Sequence, residues 1–117
     1  MGRLTTHVLD TAHGKPGAAM RVRLFRKRGA DYVLLKDLST NADGRCDAPL
    51  LTPGEMKVAR YELVFHVAAY FRAAGVTLSD PPFFEHVPVR FAIADPGGCY
   101  HVPLLVSPYG YVTYRGS

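Results

Sequence analysis

A chain of 117 residues is long enough to form one domain whose hydrophobic core needs no disulfide or metal to hold it together. Hydrophobic residues make up 48% of the sequence and charged residues 21%, proportions that exclude a disordered or fibrous protein. The net charge of +4 is too small to indicate a nucleic-acid partner, although a suitably placed arginine would still attract a small anion.

Alternating side chains predict three strands in the first forty residues. The first strand covers residues 4–9, where every second side chain is suited to a core. Residues 20–26 and 32–38 predict two more strands, which the turn at residues 28–31 joins as a hairpin. Basic and apolar residues alternate at the start of the second strand, and this pattern favours a solvated strand face over a nucleic-acid patch.

The second half of the chain predicts more strands and one short helix. Residues 68–74 are rich in helix-forming residues and stop at Gly75, a residue typical of the position after a helix. Seven or eight short strands with alternating faces predict an all-β sandwich of two antiparallel sheets, in one domain over residues 1–117. The strands of this half lie at residues 60–67, 87–93, 100–106 and 110–115.

The two cysteines and the lack of long apolar runs indicate the cellular compartment of the protein. Cys46 and Cys99 stand in unrelated contexts with no CxxC pattern, so we expect reduced thiols in a reducing compartment. No stretch reaches the roughly 18 apolar residues of a membrane span, and the first residues contain no apolar core of the kind found in signal peptides. These features predict a cytoplasmic protein with no membrane partner.

The five histidines fit none of the common zinc or nucleophile motifs. The sequence has no HxxxH, no cysteine–histidine spacing of the zinc-finger kind, and no G-x-S-x-G, P-loop or dinucleotide motif. We interpret His13, His66 and His86 as turn, surface-strand and loop residues.

Two histidines are distinguished by the strand faces on which they lie. His7 and His101 each alternate with a row of core-type residues, so both imidazoles should project from the outer surface of their sheets. That face also carries Pro103 and Leu105 and is more apolar than a solvated face should be, so another subunit is expected to cover it. The pattern alone favours two ordinary surface or interface histidines over catalytic ones.

Three separated segments of the sequence resemble the hydroxyisourate hydrolases, a transthyretin-related family. The segments are LTTHVLD at residues 4–10, TNADGR at residues 40–45 and YHVPLLVSPYGYVTYRGS at residues 100–117. They occur in the family's order and the resemblance spans essentially the whole chain. The C-terminal Tyr-Arg-Gly-Ser is the feature that separates these enzymes from vertebrate transthyretin.

This resemblance implies a fold, an assembly and a site. The fold would be a transthyretin-like sandwich of two four-stranded antiparallel sheets with one short α-helix near residues 68–75. Four copies would form a homotetramer, a dimer of dimers, with the active sites in a central channel at the dimer–dimer interface. The implied catalytic residues are His7, Arg45, His101 and Ser117, and the implied substrate-binding residues are Tyr114, Arg115 and Gly116.

The implied reaction is hydrolysis of 5-hydroxyisourate to 2-oxo-4-hydroxy-4-carboxy-5-ureidoimidazoline, a step of urate degradation toward allantoin. Water would attack a ring C–N bond, which requires a group that takes its proton and a donor that stabilises the oxyanion. We hypothesise that His7 or His101 is the base and that Arg45 holds the substrate oxygens, while Ser117 and Tyr114 orient an imidazole or bind a ring edge. We expect no metal and no organic cofactor.

One position departs from the family pattern. Many members have His-Tyr-His where this chain has Cys99-Tyr100-His101, and we interpret Cys99 as a small polarisable filler at the edge of the site rather than a nucleophile. The alternative function is a non-catalytic, transthyretin-like carrier of a small aromatic ligand. A carrier would have little use for two histidines, an arginine and the Tyr-Arg-Gly-Ser tail together, so the sequence favours the enzyme.

Overall fold

Two four-stranded sheets pack face to face in the computed structural model, which describes all 117 residues. The first sheet has the strand order β2-β1-β7-β8 and the second has the order β4-β3-β5-β6. A 3-10 turn lies at Pro53–Glu55, and the remaining elements are β1 (Arg3–Asp10), β2 (Lys15–Pro16), β3 (Arg21–Arg28), β4 (Asp31–Ser39), β5 (Ala59–Phe65), α1 (Val67–Ala73), β6 (Val87–Ile93), β7 (Cys99–Ser107) and β8 (Gly110–Thr113). The predicted all-β sandwich with one short helix is confirmed.

The direction of one strand pair differs from the prediction. β1 and β7, at the centre of the first sheet, run parallel, whereas every other strand pair is antiparallel. The expectation of two fully antiparallel sheets is therefore corrected for this pair. Side chains alternate between faces in the same way in either orientation, so the sequence pattern does not distinguish the two. The two-residue strand β2 was not predicted from the sequence.

A single cluster of 21 buried residues fills the space between the sheets. The alternate residues of β1 and β7 that were expected to face inward do so, since Leu4, Val8 and Leu104 have no exposed surface. The largest fully buried side chains are Tyr61, Phe65 and Phe71.

Helix α1 ends as the sequence predicted. Gly75 has φ +87°, and its N–H donates to the carbonyl of Arg72, while the N–H of Val76 donates to the carbonyl of Phe71. This is the Schellman arrangement, which needs a residue in the left-handed region and therefore favours glycine. No helix in the structure is long and apolar enough to cross a lipid bilayer.

A buried carboxylate joins β1, the turn after it and α1. Asp10 has a fully buried side chain, and it accepts hydrogen bonds from the backbone N–H of His13 at 3.0 Å and the Tyr70 hydroxyl at 2.8 Å. The Nδ1 atom of His13 lies 2.6 Å from the same carboxylate. Burial alone would raise the pKa of Asp10, but the bonds from His13 and Tyr70 outweigh it and lower the pKa.

The substitution Tyr70→Phe should lower the free energy of unfolding by about 1.5 to 3 kcal/mol, the range for a hydrogen bond to a charged partner. The pKa of Asp10 is lower in the folded protein than in the unfolded chain, where it is near 4. The ionised carboxylate therefore adds to the free energy of unfolding above that pH, and this stabilisation is lost as the pH falls through the pKa of the folded state. Urea unfolding at fixed protein concentration should therefore show a large difference between variant and parent at pH 7 and a smaller one in strong acid. The control is Tyr32→Phe, whose ring packs on Arg90, and equal losses in the two variants would contradict the assignment.

Candidate active site

The outward face of the first sheet carries both histidines that the sequence singled out. The parallel register sets Thr5 beside His101 and His7 beside Pro103, so the two imidazoles are diagonal neighbours on one face. Both are half-buried, whereas the alternate residues of the two strands lie in the core. The predicted face of each histidine is confirmed.

A tight turn brings Arg45 to the free edge of β1. The side-chain oxygen of Asn41 accepts hydrogen bonds from the N–H groups of Asp43 and Arg45, at 2.9 and 3.1 Å. Gly44 has φ +75°, and a Cβ there would lie 2.3 Å from the carbonyl oxygen of Val8, so the turn requires glycine. Arg45 consequently forms an isolated antiparallel bridge with His7 on β1.

The C-terminal segment lies along the other side of the pair, beside β7. Leu104 pairs with Thr113 in β8, and His101 pairs with Gly116 three residues further on, so the tail keeps the register of the strand. The N–H of Gly116 donates to the carbonyl of His101 at 2.7 Å. A Cβ on Gly116 would lie 2.6 Å from Cδ2 of the His101 ring, so glycine allows the tail to lie directly against the imidazole. β8 ends at Thr113, two residues before the predicted end of the strand, and the tail pairs again only at the isolated bridge of Gly116. The predicted position of the tail beside His101 is confirmed.

An open pocket of about 490 Å³ lies between these segments. Arg45, His101 and Ser117 line it together, and Thr5 and Cys99 lie in the same wall. His7 shares the outward face but does not line the pocket. The structure therefore brings three predicted catalytic residues to one cavity and holds the fourth beside it.

The hydrogen bond of His7 fixes the proton on its neutral ring. Its Nε2 atom lies 2.9 Å from the carbonyl oxygen of Asp43. A carbonyl can only accept, so Nε2 carries the proton and the lone pair of the neutral ring is on Nδ1. His7 is thereby oriented by the turn that carries Arg45.

His101 is held differently and is electrostatically poised. Its Nδ1 atom lies 2.8 Å from the hydroxyl oxygen of Thr5, which can donate or accept. Burial lowers the pKa of His101, and the positive charge of Arg45 lowers it further, as does His7 when its ring is protonated. His101 is therefore a neutral imidazole at neutral pH.

The three predicted substrate-binding residues do not line the pocket. The guanidinium carbon of Arg115 lies 4.1 Å from the centre of the Tyr100 ring, and its Nη2 donates to the carbonyl of Cys99 at 3.3 Å. Tyr114 stands opposite Pro103 in the continued register, with 55% of its side chain exposed. Gly116, the third predicted binding residue, contacts the His101 ring rather than the cavity.

The two cysteines lie in the pocket wall as free thiols. Burial raises the pKa of Cys46 to about 11, with a smaller effect of Asp47, so this thiol is protonated at neutral pH. The thiol of Cys99 is exposed and lies 3.6 Å from the backbone oxygen of Met1. The role of Cys99 as a filler stays a prediction.

The other three histidines lie away from this pocket. His13 belongs to the Asp10 network, whereas His66 accepts a hydrogen bond from Arg23 at 3.1 Å and packs on His86 at 4.2 Å between ring centres. His66 immediately precedes α1 and is half-buried, so the prediction of a simple surface-strand residue is corrected. No three His, Cys, Asp or Glu side chains converge anywhere in the chain in a way that could hold a metal ion.

Two contributors to the site were not predicted. Thr5 was not singled out from the sequence, because its contact with His101 depends on the parallel register of β1 and β7. Asn41 lies within the TNADGR segment, and an Asn three residues before a Gly is a turn signal that could have indicated its bonds to the backbone.

Comparison with known proteins gives consistent matches over the full length. The model of the HIUase/Transthyretin family matches residues 4–116. The chain is 56% identical to 5-hydroxyisourate hydrolase 2 of Rhizobium meliloti over 116 residues, which cover 99% of this chain and 97% of that protein.

Solved structures show the same fold. The structure of Klebsiella pneumoniae 5-hydroxyisourate hydrolase matches with a TM-score of 0.82 and 34% identity, covering 100% of both chains. An (S)-allantoin synthase matches with a TM-score of 0.92 and 44% identity, covering 99% of this chain but only 44% of that one. Sea bream transthyretin in complex with thyroxine matches with a TM-score of 0.86 and 27% identity, covering 97% and 94% of the two chains.

The effect of Arg45 on the pKa of His101 can be tested by removing the charge of Arg45. Substituting Arg45→Gln removes a positive charge that disfavours the imidazolium, so the pKa of His101 should rise. An NMR titration of the histidine ring signals would measure the change, with Arg28→Gln at the distant β3–β4 hairpin as the control. A pKa that is unchanged in Arg45→Gln, or equally raised in both variants, would contradict the electrostatic coupling.

Proposed function

We propose that this chain, which belongs to the HIUase/Transthyretin family, is an enzyme that hydrolyses 5-hydroxyisourate in urate degradation. The observation that carries the proposal is the meeting of Arg45, His101 and Ser117 at one pocket, with His7 beside it. A cation, a neutral imidazole and a hydroxyl can together hold the substrate, take a proton from water and stabilise the oxyanion in hydrolysis of a cyclic amide. The identity with hydroxyisourate hydrolases over nearly the whole chain supports the substrate.

His101 is assigned the role of general base. It lines the pocket, and its lowered pKa leaves the imidazole unprotonated and able to accept a proton from water at neutral pH. When the Thr5 hydroxyl accepts the proton of Nδ1, the lone pair lies on Nε2, and the ring is fixed in the tautomer that a base requires. Thr5 is thus the positioning residue for this base.

The remaining groups act on the substrate and the developing charge. Arg45 is exposed at the pocket wall, where its guanidinium can hold two oxygens of a planar ring and favour the oxyanion formed by attack of water. Ser117 places a hydroxyl at the same wall and supplies a further donor. His7 keeps Arg45 in place through the turn at Asp43, and the free Nδ1 lone pair of its ring is an acceptor on the same face.

The assembly is proposed to be a homotetramer, a dimer of dimers in which the outward face of the first sheet meets a second copy. This face surrounds the site with partly or fully exposed apolar residues, Leu9, Leu105 and Val112, whose burial would exclude water from the pocket. The sites would then lie at the dimer–dimer interface. Free thiols at Cys46 and Cys99 support a reducing, cytoplasmic location, and no membrane or nucleic-acid partner is proposed.

A carrier of a small aromatic ligand is the second candidate function. The likeness to a sea bream transthyretin structure that contains thyroxine favours it. The polar lining of the pocket favours the enzyme, because an apolar ligand would leave Arg45 and His101 without partners. Turnover of freshly generated 5-hydroxyisourate, followed by ultraviolet absorbance, separates the two.

The substitution His101→Ala should lower kcat by about 100-fold or more, the range expected for loss of a positioned acid–base group. His7→Ala should lower it by about 100-fold as well, because the turn that carries Arg45 loses a hydrogen bond and Arg45 is misplaced. The circular dichroism spectrum and oligomeric state should stay unchanged, and His86→Ala, at an exposed loop position, provides the control. In the parent, kcat/KM should fall as the pH falls through a value below the ordinary histidine pKa of 6.5, because protonation removes the base. Normal turnover in both alanine variants would contradict the proposed mechanism.

Removal of residues 115–117 should lower activity by about 100-fold, the effect typical of a misplaced catalytic group. Stability should change little, because none of these residues belongs to the core. The measurements are initial rates and the urea midpoint of the truncated chain. Unchanged kinetics would show that the tail has no part in the site.

A further inference from the structure

We propose that Arg115 is a positioning residue, which stacks on Tyr100 and thereby seats the tail with Gly116 against the His101 imidazole and Ser117 at the pocket. The prediction that Arg115 binds substrate is replaced by this assignment. Only the kinetic part of the proposal rests on the proposed function, since the seating of the tail is a property of the free protein.

The Tyr100 ring on which Arg115 stacks is held firmly in place. Tyr100 is 7% exposed, and its hydroxyl accepts hydrogen bonds from the N–H groups of Ala94 and Asp95, both at 3.1 Å. The guanidinium carbon lies 4.1 Å from the ring centre, within the range of a cation–π interaction. A hydrogen bond from Nη2 to the Cys99 carbonyl, at 3.3 Å, sets the rotation of the guanidinium over the ring.

Little else holds the tail in place. Beyond Thr113 its one backbone hydrogen bond is from Gly116 to His101, and the Tyr114 side chain is 55% exposed. Ser117 is exposed and makes no hydrogen bond within the chain. A four-residue terminus with a single backbone bond would fray, so the Arg115 contacts decide whether the tail stays in register.

The seated tail changes the surroundings of His101. Gly116 approaches the ring so closely that a Cβ would lie 2.6 Å from Cδ2, so the tail covers one edge of the imidazole. Burial is the largest cause of the lowered pKa of His101. Release of the tail would hydrate that edge and raise the pKa, so Arg115 acts on the base through the tail.

The test is an NMR titration of His101 in the free, full-length protein. In Arg115→Ala the pKa of His101 should rise by about half a unit, because part of its desolvation is lost. Tyr100→Leu should give the same rise, and the double variant should give no more than either single variant, because both remove one interaction. Arg28→Ala, which removes an arginine from the distant hairpin, should leave the titration unchanged.

Kinetics provide the second measurement. Arg115→Ala should lower kcat about tenfold and change KM less than about threefold, because a positioning contact acts on the base and not on substrate binding. Arg115→Lys, which keeps a cation over the ring, should recover part of kcat and part of the His101 shift.

Two results would overturn the positioning role of Arg115. A direct substrate contact would raise KM while the His101 titration of Arg115→Ala stays identical to the parent, and that outcome overturns the proposal. An unchanged titration overturns it whatever the activity is. If the parent protein fails to hydrolyse 5-hydroxyisourate, the titration still decides the seating of the tail. If Tyr100→Leu does not fold, as circular dichroism would show, the comparison of Arg115→Ala with Arg28→Ala decides alone.

Discussion

The parallel, in-register pairing of β1 with β7 is the interaction on which the rest of the site depends. It sets Thr5 beside His101 and His7 beside Pro103, in the two central strands of the first sheet, which pair with each other over eight residues. Central strands are among the least mobile parts of a domain. The two histidines are therefore held by the sheet itself, and the more exposed segments that carry Arg45 and Ser117 only have to reach this fixed pair.

Each of those two segments contains a glycine that lies in close contact with the first sheet. Gly44 lies against the backbone of β1, and Gly116 lies against the ring of His101. A Cβ added to Gly44 would lie 2.3 Å from the carbonyl oxygen of Val8, and a Cβ added to Gly116 would lie 2.6 Å from Cδ2 of the His101 ring. Any side chain at either position would push the segment away from the sheet. The short TNADGR and Tyr-Arg-Gly-Ser motifs are thus geometrical requirements as much as chemical ones, because their glycines decide how closely Arg45 and Ser117 approach the base.

The sequence predicted correctly those features that depend on a residue pattern within a single strand or helix. The core rows of β1 and β7, the outward faces of His7 and His101 and the glycine after α1 all follow from patterns within one element. Direction and register of strands far apart in sequence do not follow from such patterns, so the parallel pair and the Thr5–His101 bond were missed. The stacking of Arg115 on Tyr100 was missed for a related reason, since nothing in the alternation shows that a cation will fold back onto a ring fifteen residues earlier.

The charges around the pocket reconcile two requirements that usually compete. A general base needs a site that repels its own proton, whereas hydrolysis needs a site that attracts a developing anion. Arg45 meets both, because its positive charge lowers the pKa of His101 and would stabilise an oxyanion at the same wall. The one acidic side chain in the wall, Asp47, accepts a hydrogen bond from Asn41. It is therefore engaged by the turn that presents Arg45, and the arginine is left free to act on both the base and the substrate.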